Sequence, residues 1–221
     1  MNFEQARFNM IEQQIRPWDV LDQNVLNLLS VVKRENFVPA LYRDLAFVDM
    51  EIPLGPNARA TGQHMLAPRV EARILQELTV GKHENVLEIG TGSGYMAALL
   101  AFCARHVTTV EIAPALVKLA TDNLGNNGVV NVDVVEGDGS RGWAAAGPFD
   151  VIAISGSLAQ LPEEFLQQLK VGGRLAAFIG DSPVMEARLI TKVAENDYRT
   201  VNLFETDVTP LIAPRPSKFK F

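Results

Sequence analysis

The pattern of apolar and polar positions changes near residue 84 of this 221-residue chain. Beyond that point, short apolar runs alternate with longer segments in which apolar residues recur every three or four positions. Short runs are typical of buried strands and the longer period is typical of helices, so the alternation predicts an α/β protein. Seven runs are strand candidates: Val86–Ile89, Val107–Glu111, Val132–Glu136, Val151–Ile154, Arg174–Ile179, Ala187–Val193 and Thr200–Phe204.

Three helices are predicted between these strands, at Tyr95–Arg105, Pro114–Asn123 and Pro162–Leu169. A proline suits the first helical turn, where its missing N–H costs nothing. The pair Gly172–Gly173 is expected to end the third helix before the next strand begins. The last two strand candidates flank a turn-rich stretch and should close the sheet as a hairpin. The predicted fold is therefore a doubly wound, mostly parallel seven-stranded sheet with helices on both faces.

Residues 1–80 have a different periodicity. Two sets of apolar residues recur at helical spacing: Val25, Leu28, Leu29 and Val32 in one, and Phe8, Ile11 and Ile15 in the other. They predict a helical N-terminal extension, interrupted at Pro17, that packs over the sheet edge and the pocket. The irregular stretch from Ile52 to Pro68 is long enough to be a lid. We expect residues 1–80 to form this extension and loop, residues 81–221 to form the ligand-binding core, and both to belong to one structural domain.

Composition narrows the class of protein. Hydrophobic residues make up 48% and charged residues 21% of the chain, as in ordinary globular enzymes. The formal net charge of −6 argues against a nucleic-acid-binding scaffold, which would present a basic face. No apolar stretch approaches the length of a membrane span, the first residues lack the pattern of a signal peptide, and there is a single cysteine. We therefore expect a cytoplasmic protein that binds neither nucleic acid nor membranes.

The most informative motif follows the first of these strands. Gly90, Gly92 and Gly94 stand at every second position, and a helical segment starts directly after them. A strand, a glycine-rich loop and a helix in this order form the nucleotide pocket of many α/β proteins. The dinucleotide fingerprint would need a glycine at the position of Tyr95, which disfavours a nicotinamide-dependent oxidoreductase. A P-loop is also excluded, since the only Gly-Lys pair, Gly81–Lys82, is followed by a histidine.

The remaining pattern, Glu-x-Gly-x-Gly-x-Gly, resembles motif I of the class I S-adenosylmethionine-dependent methyltransferases. The resemblance implies a Rossmann-like fold and S-adenosyl-L-methionine as the cofactor. This cofactor carries a sulfonium and no phosphate, so its site needs carboxylates and no basic residues. No Lys or Arg occurs from Val86 to Ala104, which is compatible with such a site.

Three acidic residues lie around the predicted loop. Glu111 ends the second strand, where a carboxylate can accept hydrogen bonds from both hydroxyls of a ribose. Asp138 follows the third strand and is a candidate for binding the adenine amino group, with flanking glycines that keep the backbone close to the ring. An Asp-Gly pair is also common in plain turns. Glu88 precedes the loop and would bind the amino group of the methionine end, directly or through water, or accept from the N–H groups of the loop itself.

Two serines end the fourth strand, Ser155 and Ser157. Ligands of doubly wound sheets bind beyond the carboxyl ends of the strands. Both serines are therefore candidates for the place where the methyl donor and the acceptor meet; the alternative is that they are small loop residues.

Segments across the chain resemble one family within this class, the protein-L-isoaspartate O-methyltransferases. Val32–Pro39, Ala46–Phe47 and Ile52–Gly55 are similar to its N-terminal signature, Val86–Tyr95 to its motif I and Val208–Leu211 to its C-terminal segment. The resemblance implies a protein-repair enzyme that methylates isoaspartyl carboxylates of a protein or peptide acceptor without a metal. The cofactor contacts that we expect are Glu88, Gly90, Thr91, Gly92, Gly94, Glu111, Ile112, Asp138 and Gly139.

The sequence departs from the family in the loop that binds the acceptor. The family's loop is about Gln-Thr-Ile-Ser-Gln-Pro, and counting back from Val86 aligns Pro68 with its proline and Leu66 with its serine. A shifted register would place Thr61 there instead. His64 is a candidate for orienting the acceptor or deprotonating a different one, and the alternative is a surface histidine. The candidate catalytic positions are thus His64, Leu66 and Thr61, and the alternative functions are methylation of another acceptor or S-adenosylmethionine binding without catalysis.

Overall fold

The computed structural model describes residues 2–55 and 62–212, and its main feature is a sheet of seven strands. The strands in these ranges are β1 (Ile52–Pro53), β2 (His64–Met65), β3 (Asn85–Ile89), β4 (His106–Glu111), β5 (Val132–Glu136), β6 (Phe149–Leu158), β7 (Leu169–Asp181), β8 (Val184–Ala194) and β9 (Asp197–Thr206). The α-helices are α1 (Phe3–Met10), α2 (Gln23–Val31), α3 (Pro68–Leu78), α4 (Tyr95–Cys103), α5 (Pro114–Asn126) and α6 (Glu163–Gln167). A π-helical turn follows α1, and short 3-10 turns lie at Arg16–Trp18, Arg34–Asn36, Ala40–Leu45 and Ala144–Ala146.

The seven-stranded sheet has the order β5-β4-β3-β6-β7-β8-β9. Strands β3 to β7 pair in parallel, and β8 and β9 are antiparallel at one edge. Side chains of each strand alternate between two apolar clusters, so that Val86 belongs to one cluster and Leu87 to the other. Helices α2 to α5 contribute to the first cluster, and α6 contributes Phe165 to the second. The arrangement confirms the predicted doubly wound α/β fold and its closing hairpin.

The prediction for Gly172–Gly173 is wrong. Helix α6 already ends at Gln167, and both glycines lie inside β7. A Cβ on Gly173 would stand 2.9 Å from two backbone carbonyl oxygens. Because the pairing of β6 with β7 shifts register between Phe149 and Val151, the glycine permits a close approach of two backbones at an irregularity of the sheet.

The N-terminal extension packs on helices that cover one face of the sheet and also reaches the sheet edge. Helix α2 contacts α3 and α4, and the rings of Trp18 and Phe204 on edge strand β9 have centroids 4.7 Å apart. One predicted core residue of the extension is misplaced. The π-helical turn after α1 changes the helical period, so Met10 is buried whereas Phe8 is 59% exposed.

The longest α-helix in the described ranges is α5, with 13 residues. A helix needs roughly 20 apolar residues to cross a bilayer. Among the helices of residues 2–55 and 62–212, none has the length and apolar character required for that.

Candidate active site

A cavity opens at the carboxyl ends of the central strands, where the strand order reverses between β3 and β6. Ligands of open α/β sheets bind at such a point. This main cavity contains about 710 Å³ of atom-free space, part of it open to solvent, and a small cavity shares part of its wall. The predicted site residues brought together on the main cavity are His64, Leu66, Gly90, Gly92, Glu111, Ile112, Asp138, Gly139 and Ser155.

The main cavity has two walls of different origin. The strand-end wall consists of residues that end or follow sheet strands: Ile89, Gly90, Gly92, Val110, Glu111, Ile112, Leu116, Asp138, Gly139, Ser140, Ser155 and Gly156. The hairpin wall combines the β1–β2 hairpin and its flanking residues with a segment after β9: Leu54, Gly62, Gln63, His64, Leu66, Thr209, Pro210, Leu211 and Ile212.

Glu111 ends β4, and its carboxylate binds the glycine loop. Oε2 accepts a hydrogen bond from the N–H of Gly92 at 2.9 Å, and Oε1 accepts one from the N–H of Ala113 at 3.0 Å. Each carboxylate oxygen can accept a second hydrogen bond, so Glu111 can hold the loop and still accept from hydroxyls of a ligand. The loop-binding role that the sequence left open for Glu88 is therefore filled by Glu111.

Glu88 lies in a buried hydrogen-bond chain next to the loop. The hydroxyl of Thr109 donates to its Oε2 at 2.7 Å, and that of Ser155 donates to its Oε1 at 3.0 Å. The residue is 0% exposed and lines the small cavity together with Glu71. Burial raises the pKa of Glu88 to about 8, because desolvation outweighs the two hydroxyl donors and neighbouring carboxylates add to the effect. The raised pKa favours the protonated form of this carboxyl, and a cation beside it would favour the ionised form.

Asp138 is an exposed residue at the rim of the main cavity. Its Oδ1 accepts from the N–H of Ser140 at 2.9 Å, which makes the residue part of a turn and leaves Oδ2 for a ligand. Its flanking glycines also have a packing role within the protein. A Cβ on Gly137 would lie 2.8 Å from a tryptophan ring, and a Cβ on Gly139 would lie 2.8 Å from Cδ1 of Ile89. Both glycines thus make room for side chains of the protein.

Two glycines of the loop face the main cavity. Gly90 and Gly92 have φ values of +87° and +55°, a region that side chains rarely adopt. A Cβ on Gly90 would stand 3.1 Å from Leu211, and a Cβ on Gly92 would stand 3.1 Å from Leu54. Larger residues at these two positions would therefore fill the space between the two walls.

The other two predicted loop contacts lie away from the main cavity. Gly94 is outside both cavities and packs against α5, where its Cβ would be 3.4 Å from Ala120. Thr91 lines the small cavity only, and its hydroxyl shares a hydrogen bond of 2.7 Å with that of Thr109. Gly94 therefore contributes to helix packing in this structure.

The β1–β2 hairpin presents His64 and Leu66 to both cavities. Leu66 is 8% exposed, and Nδ1 of His64 lies 2.9 Å from the carbonyl oxygen of Gly62. Thr61, the position that a shifted register would favour, lies outside the described residues. His64 and Leu66 therefore both line the cavities next to the glycine loop.

Arg34 joins the N-terminal extension to this hairpin and to α4. Its side chain is 0% exposed and forms an ion pair with Glu71 of α3. Nη2 donates to the carbonyl oxygen of Leu66 at 2.6 Å, and the guanidinium lies 5.0 Å from the ring centroid of Tyr95, the first residue of α4. Sequence reasoning missed this residue, because a buried arginine looks like any surface arginine in a single sequence.

A segment after β9 completes the hairpin wall and was not predicted as part of the site. The hydroxyl of Ser157 donates to the carbonyl oxygen of Val208 at 2.8 Å, and its N–H donates to that of Thr209 at 3.0 Å. These bonds hold the segment that carries Leu211 into the wall. The prediction that Ser157 faces the reacting groups is therefore wrong, whereas Ser155 lines both cavities.

The charges around the two cavities favour a cation without phosphate. Carboxyl groups of Glu71, Glu88, Glu111 and Asp138 lie in the walls, and no Lys or Arg of the described residues lines either cavity. The sulfonium and ammonium groups of S-adenosylmethionine fit such walls, and the two inward-facing glycines leave space for it. Fold and site together define a Rossmann-like, S-adenosylmethionine-dependent methyltransferase.

Comparison with known proteins narrows this class to a family. Residues 5–213 match the model of the Protein-L-isoaspartate(D-aspartate) O-methyltransferase (PCMT) family. A protein-L-isoaspartate O-methyltransferase of Rhodopseudomonas palustris is 40% identical over 204 residues, which cover 92% of this chain and 91% of the relative. The corresponding protein of Herpetosiphon aurantiacus is 38% identical over 198 residues, or 90% of this chain and 86% of the relative. The chain belongs to this family, as the resemblance of its motifs predicted.

Solved structures with the same fold include two protein-L-isoaspartate O-methyltransferases. A Plasmodium falciparum protein described as a protein-L-isoaspartate O-methyltransferase, in complex with S-adenosyl-L-homocysteine, superposes with a TM-score of 0.78 at 19% identity over 96% of this chain and 99% of the other. A second protein-L-isoaspartate O-methyltransferase gives a TM-score of 0.75 at 23% identity, over 94% of this chain and 66% of the other. At these identities the similarity concerns the fold.

Proposed function

We propose that this chain methylates the carboxylate of isoaspartyl residues in proteins or peptides, with S-adenosyl-L-methionine as the methyl donor. The observation that carries the proposal is a cavity with acidic walls at the glycine loop, in a chain that belongs to the isoaspartyl methyltransferase family.

The strand-end wall would hold the cofactor. Glu111 would accept from the ribose hydroxyls and Asp138 from the adenine amino group, with Ile112 and Gly139 lining the space between them. Glu88 would bind the ammonium group through the small cavity, in its ionised form. When bound, S-adenosylmethionine supplies a methyl group that its sulfonium has already activated.

The hairpin wall would orient the acceptor and exclude water. An ionised carboxylate is itself the nucleophile and needs no general base, so positioning and desolvation account for most of the catalysis. Leu54, Leu66 and Leu211 give this wall an apolar surface next to Gly90 and Gly92. No triad is required for this chemistry.

A labelled-methyl transfer assay with an isoaspartyl peptide and its aspartyl counterpart tests the function. We expect label to enter only the isoaspartyl peptide, with one S-adenosylhomocysteine formed per methyl group. Cofactor binding without transfer to either peptide would indicate a non-catalytic binding protein. Transfer to other acceptors only would indicate a divergent substrate.

The domain organisation and location are proposals as well. The contacts of Arg34 with Tyr95 and of α2 with α4 support residues 1–80 and 81–221 as one structural domain. A single cooperative urea transition, followed by both far-UV circular dichroism and tryptophan fluorescence, is expected. A cytoplasmic location is in keeping with a single cysteine and would be tested by cell fractionation.

A further inference from the structure

His64 is the only residue among the described residues of the two cavity walls whose side chain can carry a positive charge. An isoaspartyl acceptor brings a carboxylate into this space, and the other ionisable groups of the walls are acids. Like charges at close range oppose binding, so the acceptor carboxylate needs a cationic or hydrogen-donating partner on the hairpin wall. Leu66, at the position of the family's hydroxyl residue, cannot donate a hydrogen bond.

The ring of His64 is held in one orientation. Nδ1 lies 2.9 Å from the carbonyl oxygen of Gly62, and a carbonyl oxygen can only accept, so Nδ1 carries a hydrogen. Nε2 is then the nitrogen that remains for a ligand. In the neutral ring, Nε2 has a lone pair and repels a carboxylate. In the imidazolium, Nε2 carries a hydrogen and donates to it.

We propose that His64 in its protonated form binds the acceptor carboxylate through Nε2–H and turns it toward the methyl donor, in place of the family's hydroxyl residue. The inference rests on the proposed function and names the group that recognises its substrate. One carboxylate oxygen forms a bond to the methyl carbon as the carbon–sulfur bond breaks, and the electron pair of that bond stays on sulfur. His64 keeps its proton throughout, because a carboxylate acceptor has none to lose.

The ionisable groups that line the cavities with His64 are compatible with an imidazolium. They are Glu71 on α3, which is paired with Arg34, Glu88 on β3, Glu111 on β4 and Asp138 after β5; Glu51, outside the lining, accepts from the hydroxyl of Thr209 at 3.2 Å. Each of these carboxyl groups, when ionised, attracts an imidazolium and repels a free carboxylate. The acceptor is therefore bound by one positive side chain in acidic surroundings.

A neutral His64 would serve a different class of acceptor. A hydroxyl or amine acceptor has a proton to lose, and the lone pair of Nε2 could take it as a general base. The two possibilities have opposite pH dependence. Recognition of a carboxylate requires the protonated ring and weakens as the pH rises, whereas general-base catalysis requires the neutral ring and strengthens.

The first experiment compares pH profiles of kcat/KM for the isoaspartyl peptide at saturating cofactor, from initial rates of S-adenosylhomocysteine formation. We expect the wild-type chain to exceed His64→Gln by roughly ten- to hundredfold at pH 6, mainly through KM, and this advantage to fall as the pH rises. His64→Lys should keep a constant advantage over His64→Gln across this range, since lysine stays protonated. The ratio between variants isolates His64, because Glu88 is present in all of them.

His106→Gln is the matched control. His106 lies outside both cavities and pairs with Asp133 at 3.0 Å on the surface, so the same substitution there should leave the profile unchanged. A wild-type to His64→Gln ratio that is independent of pH, or that rises with pH, would overturn the proposal.

The second experiment measures binding without turnover. Calorimetry of the isoaspartyl peptide with the S-adenosylhomocysteine complex, in two buffers of different ionisation enthalpy at pH 7.5, reports the protons taken up. We expect net uptake with the wild-type chain and none with His64→Gln. Peptide binding with proton uptake but no methyl transfer at any pH would overturn the proposed function alone. Transfer without His64-dependent uptake would overturn the assignment of His64 alone, and absence of both binding and transfer would overturn both.

Discussion

The strand-end wall and the hairpin wall enclose one cavity but are positioned by different means. Residues of the strand-end wall stand at or just beyond the ends of parallel strands, so the hydrogen-bond register of the sheet places them. The hairpin wall joins distant parts of the chain through a few hydrogen bonds, such as the one between Thr209 and Glu51, which are 158 positions apart. One substitution should therefore be able to alter acceptor recognition while cofactor binding persists, and the following predictions test that separation.

The largest effect is expected for Gly92→Leu, which should abolish measurable cofactor binding in calorimetry. A leucine here would have to adopt a positive φ, at a cost of roughly 1–2 kcal/mol, and would fill the space opposite Leu54. Gly128→Leu is the matched control, because Gly128 also has a positive φ but no atom within 4 Å of its Cβ. Equal loss of affinity in both variants would mean that backbone strain, and not occupation of the cavity, is responsible.

Arg34→Met should both destabilise the fold and disturb the hairpin wall. Breaking a buried ion pair costs about 3–5 kcal/mol, and the carbonyl oxygen of Leu66 would also lose its donor. Arg7→Met breaks a second buried pair, with Glu35, within the extension. Urea midpoints should fall in both variants, but the KM for the peptide should rise only in Arg34→Met. An equal rise of the KM in both variants would show that destabilisation of the whole extension determines the KM.

Glu88, which borders the small cavity shared by both walls, should make stability depend on pH. Burial raises its pKa from 4.5 to about 8, so the folded protein holds this proton more tightly than the unfolded chain. The resulting contribution to the free energy of unfolding is complete below pH 4.5 and is lost as the pH rises through about 8. Between pH 5 and pH 7.5, the free energy of unfolding measured in urea should fall by about 3 kcal/mol more in the wild type than in Glu88→Gln. Parallel pH profiles of the two proteins would refute the role of Glu88.

Glu111→Ala should weaken cofactor binding by about 1.5–3 kcal/mol, the range for removing a charged hydrogen-bond partner. Peptide affinity in the presence of saturating S-adenosylhomocysteine should change much less, because Glu111 belongs to the strand-end wall. Glu136→Ala is the control, since Glu136 pairs with Glu111 in the register of β4 and β5 but does not line the cavity. Equal cofactor affinity of the wild type and Glu111→Ala in calorimetry would contradict the role of Glu111 in cofactor binding.

The smallest effect is expected for Leu66→Ser. The new hydroxyl could donate to the acceptor carboxylate, but His64 already offers a donor on the same wall, so kcat/KM should rise by no more than a few-fold. Cofactor affinity should stay the same. A rise of a hundredfold would mean that the serine position, and not His64, decides the rate.

The difference between the walls also explains what could be predicted from the sequence. Strand β5 was predicted residue for residue, and the placement of Glu111 and Asp138 followed from the strand ends, because both depend on local periodicity. The prediction for Ser157 was wrong because its partner Val208 is 51 positions away and is defined only by the folded chain. Arg34 was missed for the same reason, since the carbonyl group of Leu66 to which it donates is 32 positions distant.

The position of the segment after β9 in the chain means that it is synthesised later than the strand-end wall. Leu211 follows Gly156, the last residue of the strand-end wall, by about 55 residues, which takes roughly 3 to 11 s at ordinary rates of translation. During that interval a nascent chain contains every strand-end residue but not the segment anchored by Ser157. A messenger truncated after the codons of β9 would therefore encode a protein that keeps the β1–β2 part of the hairpin wall but lacks the part that carries Leu211.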